Sequence, residues 1–117
     1  MNKFMRIIVF FDLPVKTKRQ RTVATRFRNF LLKDGFFMVQ FSVYARICNG
    51  VDDVEKHKSR IRDNTPENGS VRMLVITEKQ YERMEILIGD LVNEEKQQVF
   101  EQLSIFWFFL SFWLYYC

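Results

Sequence analysis

The chain has 117 residues, 48% of them apolar and 16% aromatic, enough for one small domain around a single core and too few for two. The net charge is only +4, but fourteen of the eighteen Lys and Arg residues precede residue 63, against five of the fourteen Asp and Glu. This asymmetry predicts one basic surface rather than a uniformly basic molecule. Two cysteines, Cys48 and Cys117, in no CxxC or Cys/His grouping, exclude a disulfide scaffold and point to a reducing cytoplasm.

The first residues, Met1 to Arg6, carry no secretory-signal pattern and lead straight into residues 6–12, an apolar, β-branched and aromatic run that reads as a buried strand. It ends in Asp12-Leu13-Pro14. Thr17-x-x-Gln20 is a capping box opening a helix. Within that helix Val23, Ala24, Phe27, Phe30 and Leu31 recur at helical spacing over an arc of about 120°. Gly35 stands where a left-handed residue would stop it. Residues 36–48 are too long for one ordinary strand and read as two, 36–40 and 42–48, meeting near Gln40-Phe41-Ser42. Asp52-x-x-Glu55 is a second capping-box pattern, preceded by Val51; its helix turns Val54 and Ile61 inward and stops before Pro66. Asn68-Gly69 turns into a strand over 70–76. Thr77-x-x-Gln80 predicts one short helical turn, 84–88 a brief strand, and 97–100 a last edge strand.

The order through residue 76 is βαββαβ, so the expected fold is α+β, a ferredoxin-like sandwich with an additional C-terminal edge strand. Two helices cover one face of its sheet. No third long helix is offered for the other face, so pairing of two copies through it is a physical expectation. The domain is expected to span 1–102. Residues 103–117 (LSIFWFFLSFWLYYC) form an uncharged aromatic tail. As a helix it would reach roughly 22 Å, short of the ~30 Å hydrocarbon core of a bilayer, and no flanking Lys or Arg anchors it. An element packed on a partner is favoured over a membrane span, and a terminus altered by frameshift or truncation stays open.

Two features could carry function. From Val15 to Lys33 the chain holds Lys16, Lys18, Arg19, Arg21, Arg26, Arg28 and Lys33 with no acidic residue. Like charges at spacings such as Lys18/Arg21 repel, so an unopposed basic face favours phosphate contact, independent of base sequence and sensitive to salt, over an ordinary solvated face. The other is Asp12, a carboxylate at a strand end. It either accepts backbone N–H bonds in the turn before Pro14 or helps hold a divalent ion. One Asp makes a poor magnesium site; two copies across a dimer axis, with water and phosphate oxygens, make a better one. His57, the only histidine, lies among Glu55, Lys56 and Lys58 and reads as a surface residue. Cys48 reads as a buried small apolar residue rather than a nucleophile. There is no Walker loop, GxSxG or HExxH.

With these residues in view the chain resembles the CRISPR-associated Cas-two family, in detail the branch found in type II systems. The matching stretches are Ile7 to Pro14, Arg26-Phe27-Arg28-Asn29-Phe30-Leu31, Gly35-Phe36-x-Met38-x-Gln40-x-Ser42-Val43-Tyr44 and Thr77-Glu78-Lys79-Gln80. The resemblance implies a homodimer whose C-terminal strand, here near Val99-Phe100, joins the partner's sheet. It implies assembly with the Cas-one integrase, the dimer bridging two integrase dimers along a double-stranded prespacer DNA. It also implies a metal-dependent endonuclease activity on RNA or DNA, with Asp12 as the magnesium ligand at the dimer interface. In the integration complex the implied role is chiefly structural, and Lys16, Lys18, Arg19, Arg21, Arg26 and Arg28 are the candidate DNA contacts.

Three functions therefore compete: a DNA-binding scaffold, a magnesium-dependent nuclease built on Asp12, and a tail-anchored membrane protein, the last motivated by residues 103–117 alone.

Overall fold

The computed structural model describes residues 4–95, with elements in the order β1 (Phe4–Asp12), α1 (Lys18–Lys33), β2 (Phe37–Gln40), β3 (Val43–Asn49), α2 (Val51–Asn64), β4 (Ser70–Thr77) and α3 (Glu78–Glu82). The four strands form one antiparallel sheet in the order β2-β3-β1-β4. This is the expected ferredoxin-like arrangement. The expected C-terminal edge strand over 97–100 and the tail 103–117 lie outside the described residues. The chain divides into two compact units, Met1–Met84 and Glu85–Cys117; every element named above belongs to the first.

β1 is central, and its alternation sorts the two faces of the sheet. Ile7, Val9 and Phe11 enter the core with Phe27 and Leu31 of α1, Tyr44 and Cys48 of β3, and Val54 and Ile61 of α2. Phe11 meets Phe27 edge-on at 5.3 Å between ring centroids, a favoured aromatic geometry. The alternate residues Arg6, Ile8, Phe10 and Asp12 lie on the face away from this core. There Ile8 is opposite Ala45 and Leu74, and Phe10 opposite Val43 and Arg72. Phe10 and Leu74 remain 40% and 53% exposed.

The capping box at Thr17 forms as expected: Thr17 Oγ1 accepts from the Gln20 N–H, and Gln20 Oε1 accepts from the N–H groups of Lys16 and Thr17. The box at Thr77 forms in the same way. The one expected at Asp52-x-x-Glu55 does not. Gly50, at φ +96°, starts α2 two residues earlier, so Val51 lies inside the helix and no side chain caps it. Asp53 instead reaches back to accept the Asn49 N–H at 3.0 Å. The expected strand over 84–88 is also absent. The chain there is irregular and has no ladder partner among the described residues, which shows that an apolar run without a neighbouring strand edge does not fix a strand.

Candidate nucleic-acid interface

The sequence places a Lys or Arg at six positions of α1 and one more in the loop before it. The fold turns Lys16, Lys18, Arg19, Arg21, Arg26 and Lys33 outward and leaves Arg28 half-buried. None of the seven forms an ion pair among the described residues. Lys18 and Arg19 stand in the first turn, which holds no acidic residue. That end of a helix carries unsatisfied N–H groups and the positive pole of the dipole, so each cation there costs about 0.3–1 kcal/mol and an anion is favoured. Stability alone would not choose this pattern; a bound polyanion would offset it.

Lys18, Arg21, Thr22, Thr25, Arg26 and Asn29 line a shallow groove of about 460 Å³ along one face of α1. Its lining holds three cations, two hydroxyls and an amide, and no carboxylate. Such a row suits phosphate oxygens and carries no base-reading device. Reasoning from charge alone missed Thr22, Thr25 and Asn29, although their spacing from Lys18 places them on the same stripe. Two of the arginines are partly committed. Arg21 Nη1 donates to the carbonyls of Val15 and Lys16 at 3.2 and 3.1 Å, which ties the β1–α1 loop to the helix. Arg28 Nη2 donates to Thr25 Oγ1 at 3.4 Å.

A second, deeper cleft of about 700 Å³ opens between the other flank of α1 and the α2–β4 connection. Arg19, Val23, Arg26 and Phe30 line one side; Asp63, Asn64, Glu67 and Asn68 line the other. Sequence reasoning missed it, because its walls lie some forty residues apart in the chain.

Asp12 ends β1 on the sheet face opposite α1 and α2, exposed, with no hydrogen bond or ion pair to its carboxylate among the described residues. The turn at Asn68-Gly69 abuts it: Ser70 pairs with Asp12, and a Cβ on Gly69 would stand 2.7 Å from the Asp12 carbonyl oxygen. Among the described residues no three His, Cys, Asp or Glu side chains converge to hold a metal. One Asp12 supplies at most two of the oxygens that magnesium requires, so the residues of a single copy do not complete a site.

The remaining titratable groups belong to the scaffold. His57, expected on the surface, is 1% exposed. Its Nδ1 lies 2.7 Å from Asp34 Oδ2, while Arg60 donates to Asp34 Oδ1 at 2.8 Å. Its Nε2 stands 3.3 Å from Asp53 Oδ1 without hydrogen-bond geometry. The chain leaving α1 delivers Asp34 against α2, a contact that local charge patterning could not show. Cys48 is buried as expected. Burial, aided by nearby Asp53, pushes its thiol up to about 11 against the opposing pull of Arg46, which leaves it un-nucleophilic near neutrality. Arg6 and Glu78, each 1% exposed, form a bidentate pair at 2.7 and 2.8 Å, with the guanidinium 4.1 Å from the Tyr81 ring centroid. This pair fastens α3 to β1.

Fold and surface thus define a small ferredoxin-like α+β protein with an unpaired cationic helix on one side of the sheet and, on the other, an exposed carboxylate at the end of its central strand. The family model described as CRISPR associated protein Cas2 matches residues 5–84. The chain is 50% identical over 102 residues to a CRISPR-associated endoribonuclease Cas2 of Acidovorax ebreus, covering 87% of this chain and 100% of that protein. A protein of the same description from Campylobacter jejuni is 44% identical over 105 residues, 90% of this chain and 73% of that one. A solved structure titled "Crystal structure of cas2" superposes with a TM-score of 0.53 at 20% identity, covering 77% of this chain and 92% of that one, a likeness of fold. The chain belongs to the Cas2 family of CRISPR-associated proteins.

Proposed function

We propose that this chain is a structural, DNA-binding subunit of a CRISPR spacer-acquisition complex of the type II branch. It acts as a cytoplasmic homodimer that bridges Cas-one integrase dimers and holds double-stranded prespacer DNA along α1. The observation that carries this reading is the α1 groove, where three cations outside any ion pair share one stripe with Thr22, Thr25 and Asn29 and no carboxylate. Lys18 and Arg26 hold phosphates there, Arg21 braces the loop that delivers Lys16, and Arg19 and Arg28 flank the stripe. Bond making and breaking then reside in the integrase. The Lys18→Ala/Arg26→Ala double variant is expected to weaken duplex binding about tenfold or more at low salt. It should also make the plot of log affinity against log salt shallower by about two. Unchanged affinity and slope would sink the proposal.

A second reading rests on Asp12, exposed and unpartnered at the end of β1, and on relatives that carry the name endoribonuclease. In it, two Asp12 carboxylates meet across a dimer axis and hold magnesium with water and substrate phosphate, RNA or DNA. The ion would offset phosphate charge and acidify water; this chain's own part is to bring the carboxylates together. Asp12→Asn separates the readings. Retained spacer integration with the neighbouring integrase, at wild-type DNA affinity, is expected for the scaffold. Loss of integration with dimer and DNA binding intact moves chemistry onto this chain.

A further inference from the structure

We propose that the cleft between α1 and the α2–β4 connection receives one unpaired nucleotide of the nucleic acid whose backbone follows α1. This extends the phosphate-binding reading of α1 and rests on it. Arg26 lines both the groove and the cleft, so a strand with its phosphates in the groove passes the cleft mouth. The cleft itself differs in chemistry from the groove. It has an apolar floor that includes Val23 and the half-buried Phe30, which phosphate alone would not use. Its volume of about 700 Å³ lies within the roughly 300–1,000 Å³ typical of small-ligand sites.

The walls are polarised. Arg19 and Arg26 stand on the α1 side, Asp63 and Glu67 on the other, and no ion pair joins them. Phosphate is therefore directed to the arginine side and repelled from the carboxylates. A base is directed the opposite way, with its edge toward Asn64 and Glu67. An ionised carboxylate only accepts hydrogen bonds, so it holds a base by a donor on its edge, the exocyclic amine of adenine, cytosine or guanine or the imide N3–H of thymine. A paired base cannot leave its stack at small cost, so the occupant is an unpaired nucleotide at an overhang or junction.

The test compares a blunt duplex with duplexes of the same length that carry one unpaired terminal nucleotide, adenine, an abasic residue or the fluorescent 2-aminopurine, at either the 3′ or the 5′ end. The adenine overhang is expected to bind about fivefold or more tighter than the blunt duplex, and tighter than the abasic overhang. 2-Aminopurine emission should change on binding. Glu67→Ala, at an exposed position outside the α1 groove, should weaken the adenine-over-abasic preference and leave blunt-duplex affinity and melting temperature unchanged. Equal affinity for blunt and overhung duplexes with unchanged 2-aminopurine emission overturns the cleft inference while the α1 reading stands. A blunt duplex that fails to bind even at low salt overturns the α1 reading and this inference with it.

Discussion

Asp53 shows how a single residue, placed two positions from where a local motif would put it, acquires a different task. Because Gly50 starts α2 early, Asp53 accepts the Asn49 N–H and lies beside Lys56 and His57. The backbone hydrogen bond, helped by Lys56 and His57, holds its carboxyl below the usual aspartate value, and partial desolvation opposes them. A carboxyl depressed in the folded state releases its proton more readily there than in the unfolded chain. Its stabilisation is therefore present above the unfolded aspartate value of about 3.9 and is lost as pH falls through the lower folded value. Asp53→Asn is expected to cost no more than about 1 kcal/mol at pH 6, the scale of a partly exposed charge-assisted contact. By pH 3 the cost should shrink. Denaturant unfolding of both proteins at the two pH values checks this; an equal difference at each would show that the carboxylate charge contributes nothing.

At the scale of elements, the joint between β1 and the turn before β4 fixes where Asp12 points. Gly69 has φ +103°, and an added Cβ would meet the Asp12 carbonyl, the Leu13 side chain and the Pro14 ring. Backbone and ring cannot swing aside as a flexible side chain would. Gly69→Ala should therefore destabilise the fold by about 1–3 kcal/mol and disturb both the Asp12 strand end and the cleft wall formed by Asn68. Thermal melting reads the first effect and the overhang preference of bound duplex reads the second; a variant unchanged in both would show that the joint tolerates a side chain. The sequence made α1 and the strand order legible because capping boxes, helical spacing and β alternation are local. It also exposed the cations of α1, since their charge needs no tertiary context. It did not reveal the partners of His57, which come from the end of α1, or the Arg6–Glu78 pair, separated by 72 positions. Nor did it reveal the cleft, whose walls meet only when α2 packs beside α1. The strand read over 84–88 failed for the converse reason: its apolar pattern was local, but a strand needs an edge to pair with.

For the whole molecule, the two candidate sites make opposite demands on assembly. A phosphate groove on α1 is complete within one copy, whereas a metal site at Asp12 needs two. The face carrying Asp12 also carries the exposed side chains of Phe10 and Leu74, apolar groups suited to the centre of an interface between copies. If that face pairs, Phe10→Asp/Leu74→Asp buries two uncompensated charges at its centre and should yield monomers by sedimentation or light scattering. The monomer should still bind duplex DNA through its own α1. Because it presents one groove instead of two, its affinity should fall and its salt dependence should drop to about half the wild-type slope. Any cleavage that depends on Asp12 should disappear, since the two carboxylates no longer meet. A variant that remains dimeric places the pairing surface elsewhere. A monomer that keeps the full wild-type salt slope shows that one α1 surface accounts for all the phosphate contacts, and that bridging two grooves is not how this chain holds DNA.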